Sequence, residues 1–350
     1  MRDEAVADLN TPEHAAVAFG QRPPFLFALL LALLVVLVIA ICIGAIPLPL
    51  RGIFGLAQMS NMQDVVLYQI RLPRVVLAAI AGAGLACAGA TLQALFRNPL
   101  ADPSLIGVSG GAAVGAIFMI VLGAGFFSDA LMPYLIPLAA VAGAIGITAM
   151  LYGFARWFGN FEVSTMLLVG IALNSISTVA IGAFQFLSDD TQLRTLVFWL
   201  MGSYGRATWV TVLPAVGVIV SAVLVLVSLG RKLDILQLGE TEARHLSVDV
   251  DKLKRYTVIA AAAAVGAAVA VSGIIAFVGL IVPHIVRLIV GTSNRWVLPG
   301  AVLLGASLSV LADLVSRIII VPAELPVGLV TSALGAPFFL WLIAVARPRT

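Results

Sequence analysis

The chain has 350 residues, of which 61% are hydrophobic and 11% charged, and its mean hydropathy is +1.12. This composition excludes a soluble domain of ordinary size, and the net charge of +3 is too small and too dispersed to indicate a nucleic-acid-binding surface. Long apolar runs alternate with short polar gaps, and most runs approach the length that a helix needs to cross a bilayer. Because the runs are continuous rather than alternating, they predict helices and not a membrane barrel. We therefore expect an all-α polytopic membrane protein.

Membrane spans are predicted from residue 25 onward, after a polar N-terminal tail over residues 1–24. The first apolar run is too long for the core of a signal peptide and has no clear small-residue cleavage site after it, so we interpret it as a retained helix. Residues 25–350 are expected to form a single transmembrane domain with about ten helices. The predicted spans are residues 25–46, 74–96, 105–125, 132–155, 162–187, 207–229, 255–274, 276–291, 297–317 and 327–346.

The distribution of positive charge predicts the orientation. An even number of spans places both termini on one side of the membrane, and 14 of the 20 Lys and Arg residues then lie on that side. Positive residues favour cytoplasmic segments, so both termini are expected in the cytoplasm. The two cysteines, Cys42 and Cys87, lie inside apolar runs. We interpret them as small buried side chains rather than as a disulfide or metal site.

Ionisable groups within the predicted spans are few, and Asp313 is the clearest acid among them. It lies four residues before Arg317, a spacing that suits an intrahelical ion pair. Ion-coupled carriers usually need intramembrane carboxylates or histidines, so this one acid gives little support to a secondary transporter, which remains a remote alternative. None of the three lysines follows a glycine, as a Walker A motif requires. ATP hydrolysis would therefore need a separate subunit.

Three arginines lie at predicted outer helix ends, namely Arg71, Arg74 and Arg317. Pro73 suits the first turn of a helix, so Arg71 and Arg74 are predicted to flank a helix start. An arginine gains nothing from the dipole at a helix N-terminus, which indicates another reason for its presence. Either an acidic partner or lipid headgroups would explain these outward charges.

Residues 230–254 form the most polar stretch after the N-terminal tail. Apolar and charged residues recur there at roughly helical spacing, which predicts one or two short surface helices. The segment is either an ordinary solvated loop or a docking element for a cytoplasmic partner.

Nine segments, in their order and spacing, resemble the permease subunits of type II ATP-binding-cassette (ABC) importers for ferric siderophores, haem or cobalamin (FecCD-type permeases). The resemblance covers nearly the whole chain after residue 70, and its segments are residues 71–74, 89–93, 97–103, 106–112, 198–203, 279–287, 312–317, 324–331 and 335–339. It implies the type II ABC importer permease fold and a homodimer with a central path, in the bacterial inner membrane. It also implies a periplasmic binding protein and two cytoplasmic ATPase subunits that bind ATP and Mg²⁺.

The resemblance also assigns roles to residues. Arg71, Arg74 and Arg317 match the family's outer arginines, which pair with glutamates of the binding protein. The family's coupling helices, which contact the ATPase, match a set within 230–254 that comprises Leu238, Gly239, Glu240, Arg244 and Leu246. The family form ends in Leu-Gly-Val, whereas residues 246–248 here are Leu-Ser-Val.

The cargo is indicated by residues 188–194, Ser-Asp-Asp-Thr-Gln-Leu-Arg, which resemble the haem branch of the family. Haem as cargo is expected, with siderophore and cobalamin as alternatives, and no cofactor of the permease itself is expected. Arg194 is expected either to hold the haem propionates at the mouth of the path or to pair with Asp189 or Asp190. Asn174, in the fifth predicted span, is expected either to line the path or to bond a neighbouring helix.

Overall fold

The computed structural model describes residues 12–44, 46, 48–49, 58–159, 162–320 and 323–346. Within these residues the chain is helical, with thirteen α-helices. They are α1 Pro12–Cys42, α2 Asn61–Leu95, α3 Val108–Leu122, α4 Met132–Gly159, α5 Val163–Leu187, α6 Asp190–Leu200, α7 Trp209–Ser228, α8 Gly230–Leu236, α9 Glu240–His245, α10 Val250–Ser272, α11 Val278–Val290, α12 Asn294–Ile318 and α13 Val327–Ala346.

Ten of these helices correspond to the ten predicted spans, which confirms the expected all-α membrane fold. Seven are long and apolar enough to cross a bilayer, namely α1, α2, α4, α5, α7, α10 and α12. The apolar helices α3 and α11 are shorter, as is the segment Val327–Leu342 of α13. The three remaining helices, α6, α8 and α9, lie in the polar connections that follow α5 and α7.

The first helix begins earlier than the predicted tail allows. It starts at Pro12, so the second half of the expected tail is helical, while residues 1–11 lie outside the described residues. Its membrane-length apolar part is Pro23–Cys42. The predicted boundary at residue 25 is the point where hydropathy rises, but the helix itself can begin earlier, in the polar residues before that point. Cys42 at its end is half-buried, whereas Cys87 in α2 is fully buried.

The predicted helix start at Pro73 matches the start of the α-helical part Leu72–Leu95, where Pro73 lies in the first turn, but α2 as a whole begins earlier, at Asn61. Ser60 and Gln63 form a capping box there: the Ser60 hydroxyl accepts from the Gln63 amide at 3.3 Å and the Gln63 side chain accepts from the Ser60 amide at 3.0 Å. A π-helical turn, Val66–Arg71, precedes Pro73. Proline lacks an amide hydrogen and crowds the preceding turn, and a widened turn accommodates both defects without ending the helix.

Helix α2 is the centre of the bundle, and every residue from 81 to 95 is buried. It packs against α7, α10, α11 and α12, while α1 lies on α12, and α3 packs against α4 and α5. Glycines allow the closest approaches. A β-carbon at Gly82 would overlap the backbone of α12 at Gly305, and one at Gly89 would overlap the backbone of α11 at Gly279. Small residues of this kind let membrane helices approach until their backbones touch.

Polar groups reinforce the contact between α2 and α11. Arg287 donates from Nη1 to Oε1 of Gln93 at 2.6 Å, and Gln93 donates from Nε2 to the Gly279 carbonyl at 3.3 Å. Gln93 is buried, so this bonding satisfies an amide that would otherwise be left unpaired in the bundle. The position and rotation of α11 against α2 are thereby fixed.

The close approach at Gly89 makes this position intolerant of a side chain. We expect Gly89→Val to lower the thermal unfolding midpoint of the purified permease by several degrees, because overpacking of this kind costs about 1–3 kcal/mol. Gly217→Val in α7 is the matched control, since nothing lies within 4 Å of a β-carbon there. The midpoint is measured in detergent by the loss of the monodisperse elution peak on heating. Equal midpoints for the two variants would contradict the requirement for backbone contact at Gly89.

Candidate functional site

The end of the bundle that carries Arg74, called here the Arg74 end, contains a buried ion-pair network. Asp313 of α12 is fully buried. Arg74 of α2 donates from Nε to Oδ1 of Asp313 at 2.8 Å, and Nε of Arg317 lies 3.2 Å from Oδ2. The intrahelical pair predicted for residues 313 and 317 is therefore present, and Arg74 extends it to a second helix. Two guanidinium groups offset the burial of one carboxylate, which is the condition for tolerating a buried charge.

A second carboxylate, Glu324, binds the other side of Arg74. Nη1 of Arg74 lies 2.9 Å from Oε1 and 2.8 Å from Oε2 of Glu324. The Glu324 side chain is 48% exposed, whereas that of Arg74 is 8% exposed. Glu324 lies in the connection before α13, far from Arg74 in sequence, and sequence reasoning did not assign it a role. The sequence feature that could have indicated a role for Glu324 is its place at the start of segment 324–331, beside a predicted outer helix end.

Arg71 binds backbone rather than side chains. It donates from Nη1 to the carbonyls of Ile41 at 2.7 Å and Cys42 at 3.0 Å, and from Nη2 to the carbonyl of Ile46. Arg317 donates to the carbonyl of Ala40 at 3.1 Å. The last carbonyls of a helix lack intrahelical partners and favour a positive charge, so these two arginines hold the end of α1 on the bundle.

The structure thus brings the three predicted docking arginines together, but it does not leave their charges facing outward. Arg71 and Arg74 are buried, and the Arg317 side chain is 7% exposed. The expected outward exposure is wrong because each guanidinium binds groups of the chain itself. Docking of a partner at this end stays a prediction.

At the opposite end, called here the coupling end, α8 is bound to two of the long helices. Asp234 accepts from the Ser293 hydroxyl at 2.9 Å and from the amide and side chain of Asn294 at 2.6 and 2.9 Å, which caps the start of α12. A negative charge is favourable at a helix N-terminus. Gln237 donates to the carbonyl of Ala94 at 2.8 Å, near the end of α2. The helices that carry the Arg74 network are therefore the same helices that hold α8.

The predicted coupling residues separate into two groups. Leu238 and Leu246 are 66% and 55% exposed, so both present apolar side chains on an otherwise polar surface. Glu240 instead lies 2.7 Å from Nζ of Lys254, whose side chain is 2% exposed, and this pair ties α9 to α10. Arg244 lies 3.6 Å from Asp251 with both side chains largely exposed, an arrangement that contributes little stability.

Turns with positive φ bound α9 on both sides. Gly239 precedes it at φ 129°, a region that residues with a side chain rarely adopt, and Ser247 follows it at φ 62°. Ser247 occupies the position where the resemblance has glycine, and it still adopts the left-handed conformation. The helix break expected from the family pattern is therefore kept despite the substitution. A serine in this conformation carries a modest strain cost.

The start of α10 is fixed by Asp249, whose side chain accepts from the Lys252 amide at 3.0 Å. This backbone hydrogen bond, together with the Lys252 side chain, lowers the pKa of Asp249 below its usual value. Asp249 therefore stays ionised at neutral pH and adds a negative charge at the helix N-terminus, where it is favourable.

The two residues predicted for the cargo path are not brought together. Asn174 of α5 donates from Nδ2 to the carbonyl of Ser104 at 2.8 Å, so it bonds the short 3-10 turn Pro103–Ile106 that precedes α3. Arg194 lies on α6 and is exposed. Asp189 caps α6 by accepting from Gln192 at 2.8 Å, and within the described part of the chain Arg194 has no ion pair with Asp189 or Asp190.

Comparison with known proteins agrees with this architecture. A family model described as the FecCD transport family matches residues 31–345. The hemin transport system permease protein of Yersinia pestis is 42% identical over 338 residues, covering 94% of this chain and 98% of the relative. A vitamin B12 import system permease protein of Vibrio cholerae is 42% identical over 284 residues, covering 81% of this chain and 84% of the relative.

A solved structure has the same helix arrangement. It is described as an inward-facing conformation of a chain assigned to the metal-chelate type of ABC transporter, and it superposes with a TM-score of 0.83 at 34% identity. The superposition covers 92% of this chain and 99% of the other. The resemblance found in the sequence is confirmed, and the chain belongs to the FecCD transport family, as a permease of an ABC importer.

Proposed function

We propose that this permease carries haem, delivered by a periplasmic haem-binding protein, into the cytoplasm by ATP-driven alternating access. The observation that carries the proposal is the 42% identity with the hemin permease over 98% of that relative. Residues 188–194, which resemble the haem branch, support the same cargo. Permeases of this family work with a separate ATPase and a binding protein, and the permease is not itself the ATPase. ATP and Mg²⁺ therefore belong to that partner.

Cobalamin is the second candidate cargo, because the vitamin B12 permease of Vibrio cholerae reaches the same 42% identity, although over 84% of its length. A ferric siderophore is the third. A secondary ion-coupled carrier loses its support, because Asp313 is held between Arg74 and Arg317 rather than free to bind a coupling ion.

The working assembly is a homodimer with two ATPase subunits, in the bacterial inner membrane, with both termini in the cytoplasm. The excess of Lys and Arg on the side of the termini supports this orientation. Large apolar side chains on α5 and α13 support burial of these helices against a second copy or lipid: Leu168, Val179 and Phe186 are at least 69% exposed, and Leu334 and Leu340 at least 56%. In the dimer, α5 and α13 line the central path, with Asn174 beside it.

Docking of the binding protein occurs at the Arg74 end through exchange of carboxylates. Arg74 holds an inner carboxylate, Asp313, and an outer one, Glu324, of which only Glu324 is exposed. A carboxylate of the binding protein can replace Glu324 while Asp313 keeps the guanidinium in position. Such an exchange leaves the number of ion pairs on Arg74 unchanged, so Arg74 needs no further desolvation.

The exchange predicts opposite effects for the two members of the Arg74–Glu324 pair. Glu324→Gln removes the competing charge and is expected to tighten binding of the loaded binding protein several-fold. Arg74→Ala is expected to weaken it by about an order of magnitude or more, since a partner carboxylate loses its guanidinium. Binding is measured on the permease–ATPase complex in nanodiscs, with Glu242→Gln at the coupling end as the charge-matched control. Weaker binding by Glu324→Gln would contradict the exchange and would make Glu324 part of the docking surface.

Among the five predicted coupling residues, Leu238 and Leu246 are the two with largely exposed apolar side chains, and we expect both to contact the ATPase. Burial of an exposed leucine side chain in an interface is worth about 1.5–3 kcal/mol. We expect the double substitution Leu238→Ala with Leu246→Ala to abolish most stimulation of the ATPase by the loaded binding protein, while docking of that protein stays unchanged. Leu213→Ala, an exposed leucine of α7 outside the 230–254 segment, is the matched control. Full stimulation in the double variant would show that these leucines do not transmit the motion.

The cargo is tested in liposomes that contain the permease, its ATPase and its binding protein. ATP-dependent uptake of haem is compared with uptake of a ferric siderophore and of cobalamin, and selective haem uptake is expected. Arg194→Ala should lower haem uptake more than Arg194→Lys, because only arginine holds a carboxylate with two parallel hydrogen bonds. Selective uptake of cobalamin or siderophore would overturn haem as cargo. Unchanged haem uptake by Arg194→Ala would remove Arg194 from the path.

A further inference from the structure

A long groove lies on the outside of the bundle, with α4 and α7 as its walls and α10 as its floor. It consists of two adjoining cavities of about 400 and 690 Å³, which share Val141, Val218 and Ala267. Small side chains make the floor low, namely Ala262, Ala263, Gly266 and Ala267. Large residues at these positions would fill the space, so the depth of the groove follows directly from the sequence of α10.

The groove is apolar along its length and basic at one end. The larger cavity ends at Tyr152 and Arg156 of α4. The guanidinium of Arg255, near the start of α10, lies over the Tyr152 ring at 5.5 Å from its centroid. Trp157 beside them is 78% exposed and stacks on Phe154. Arginine and aromatic side chains grouped in this way are typical of the membrane–water interface.

The dimensions of the larger cavity fit one leaflet of a bilayer. From Val141 to Arg156 helix α4 rises about 22 Å, and half of a bilayer with its headgroups is about 20–22 Å thick. The basic end lies where α10 begins, next to α9, so it is the coupling end. An acyl chain that lies in the groove with its end at the bilayer midplane would therefore place its headgroup beside the arginines.

We propose that this groove binds one anionic glycerophospholipid of the leaflet at the coupling end. An acyl chain lies on the small residues of α10 between α4 and α7, and Arg156 and Arg255 hold the phosphate. Arginine matches phosphate oxygens in geometry as well as in charge. The apolar groove complements an acyl chain and the basic end complements an anionic headgroup, so the two parts of one ligand account for both.

Other occupants fit less well. A partner helix could fill the apolar groove, but it would not by itself supply an anion to Arg156 and Arg255 at the basic end. Haem would place its propionates near the arginines, but its metal would face a lining whose polar side chains are only Thr148, Tyr152 and Arg156. An acyl chain needs no polar partner along this lining.

The test is native mass spectrometry of the full-length permease, titrated with phosphatidylglycerol or with phosphatidylcholine of the same acyl chains. One retained phosphatidylglycerol per chain is expected, with weaker retention of phosphatidylcholine. Removing either arginine, as Arg156→Ala or Arg255→Ala, should lower phosphatidylglycerol retention about fivefold, whereas Arg231→Ala outside the groove should not. Equal retention of the two lipids, or unchanged retention in both arginine variants, would overturn the proposal.

A second variant tests the apolar part of the site. Ala263→Phe places a ring on the floor of the groove and should lower retention of both lipids, with the elution volume of the folded protein as the folding control. Undiminished retention in a folded Ala263→Phe variant would overturn the proposal. A disulfide between two chains carrying Val141→Cys would also overturn it, because the groove would then be an interface between copies. Displacement of phosphatidylglycerol by haem from the wild type, but not from Ala263→Phe, would overturn it as well.

Discussion

The contact between α2 and α12 is the constraint on which the rest of the structure depends. Lipid tails are as apolar as leucine, so membrane helices are not driven together by the hydrophobic effect and rely on close packing instead. Gly82 and Gly305 supply that closeness, since a β-carbon at either would overlap the opposite backbone. With α2 held against α12 in this way, α7, α10 and α11 can surround it and bury its whole second half.

The same pair of helices connects the two candidate sites. At one end Arg74 of α2 binds Asp313 of α12, and at the other end α8 binds both helices through Gln237 and Asp234. A displacement of α8 by the ATPase would therefore act on the two helices that hold the proposed docking arginines. The structure provides a physical route for coupling, because hydrogen bonds and backbone contact join its two ends without a flexible connection.

Charge within the network formed by Arg74, Arg317, Asp313 and Glu324 is balanced, which changes how docking at Arg74 would work. Arg74 and Arg317 are matched by Asp313 and Glu324, while Arg71 is held by backbone carbonyls. A partner therefore meets an exposed carboxylate, Glu324, together with a guanidinium behind it. In the proposed docking, specificity for an acidic partner would come from exchange at Arg74, and the buried Asp313 would keep the arginine in place through the exchange.

The sequence by itself determined the ten spans, the family and the pairing of Asp313 with Arg317, because hydropathy, motif order and a four-residue spacing are local properties of the chain. It did not determine that Arg74 binds Glu324, that Arg71 closes the end of α1, or that α2 continues through Pro73. These depend on which helix ends meet in space and on a π-turn that absorbs the proline. Hydropathy predicts which segments cross the membrane, and only the tertiary structure decides which neighbours their residues meet there.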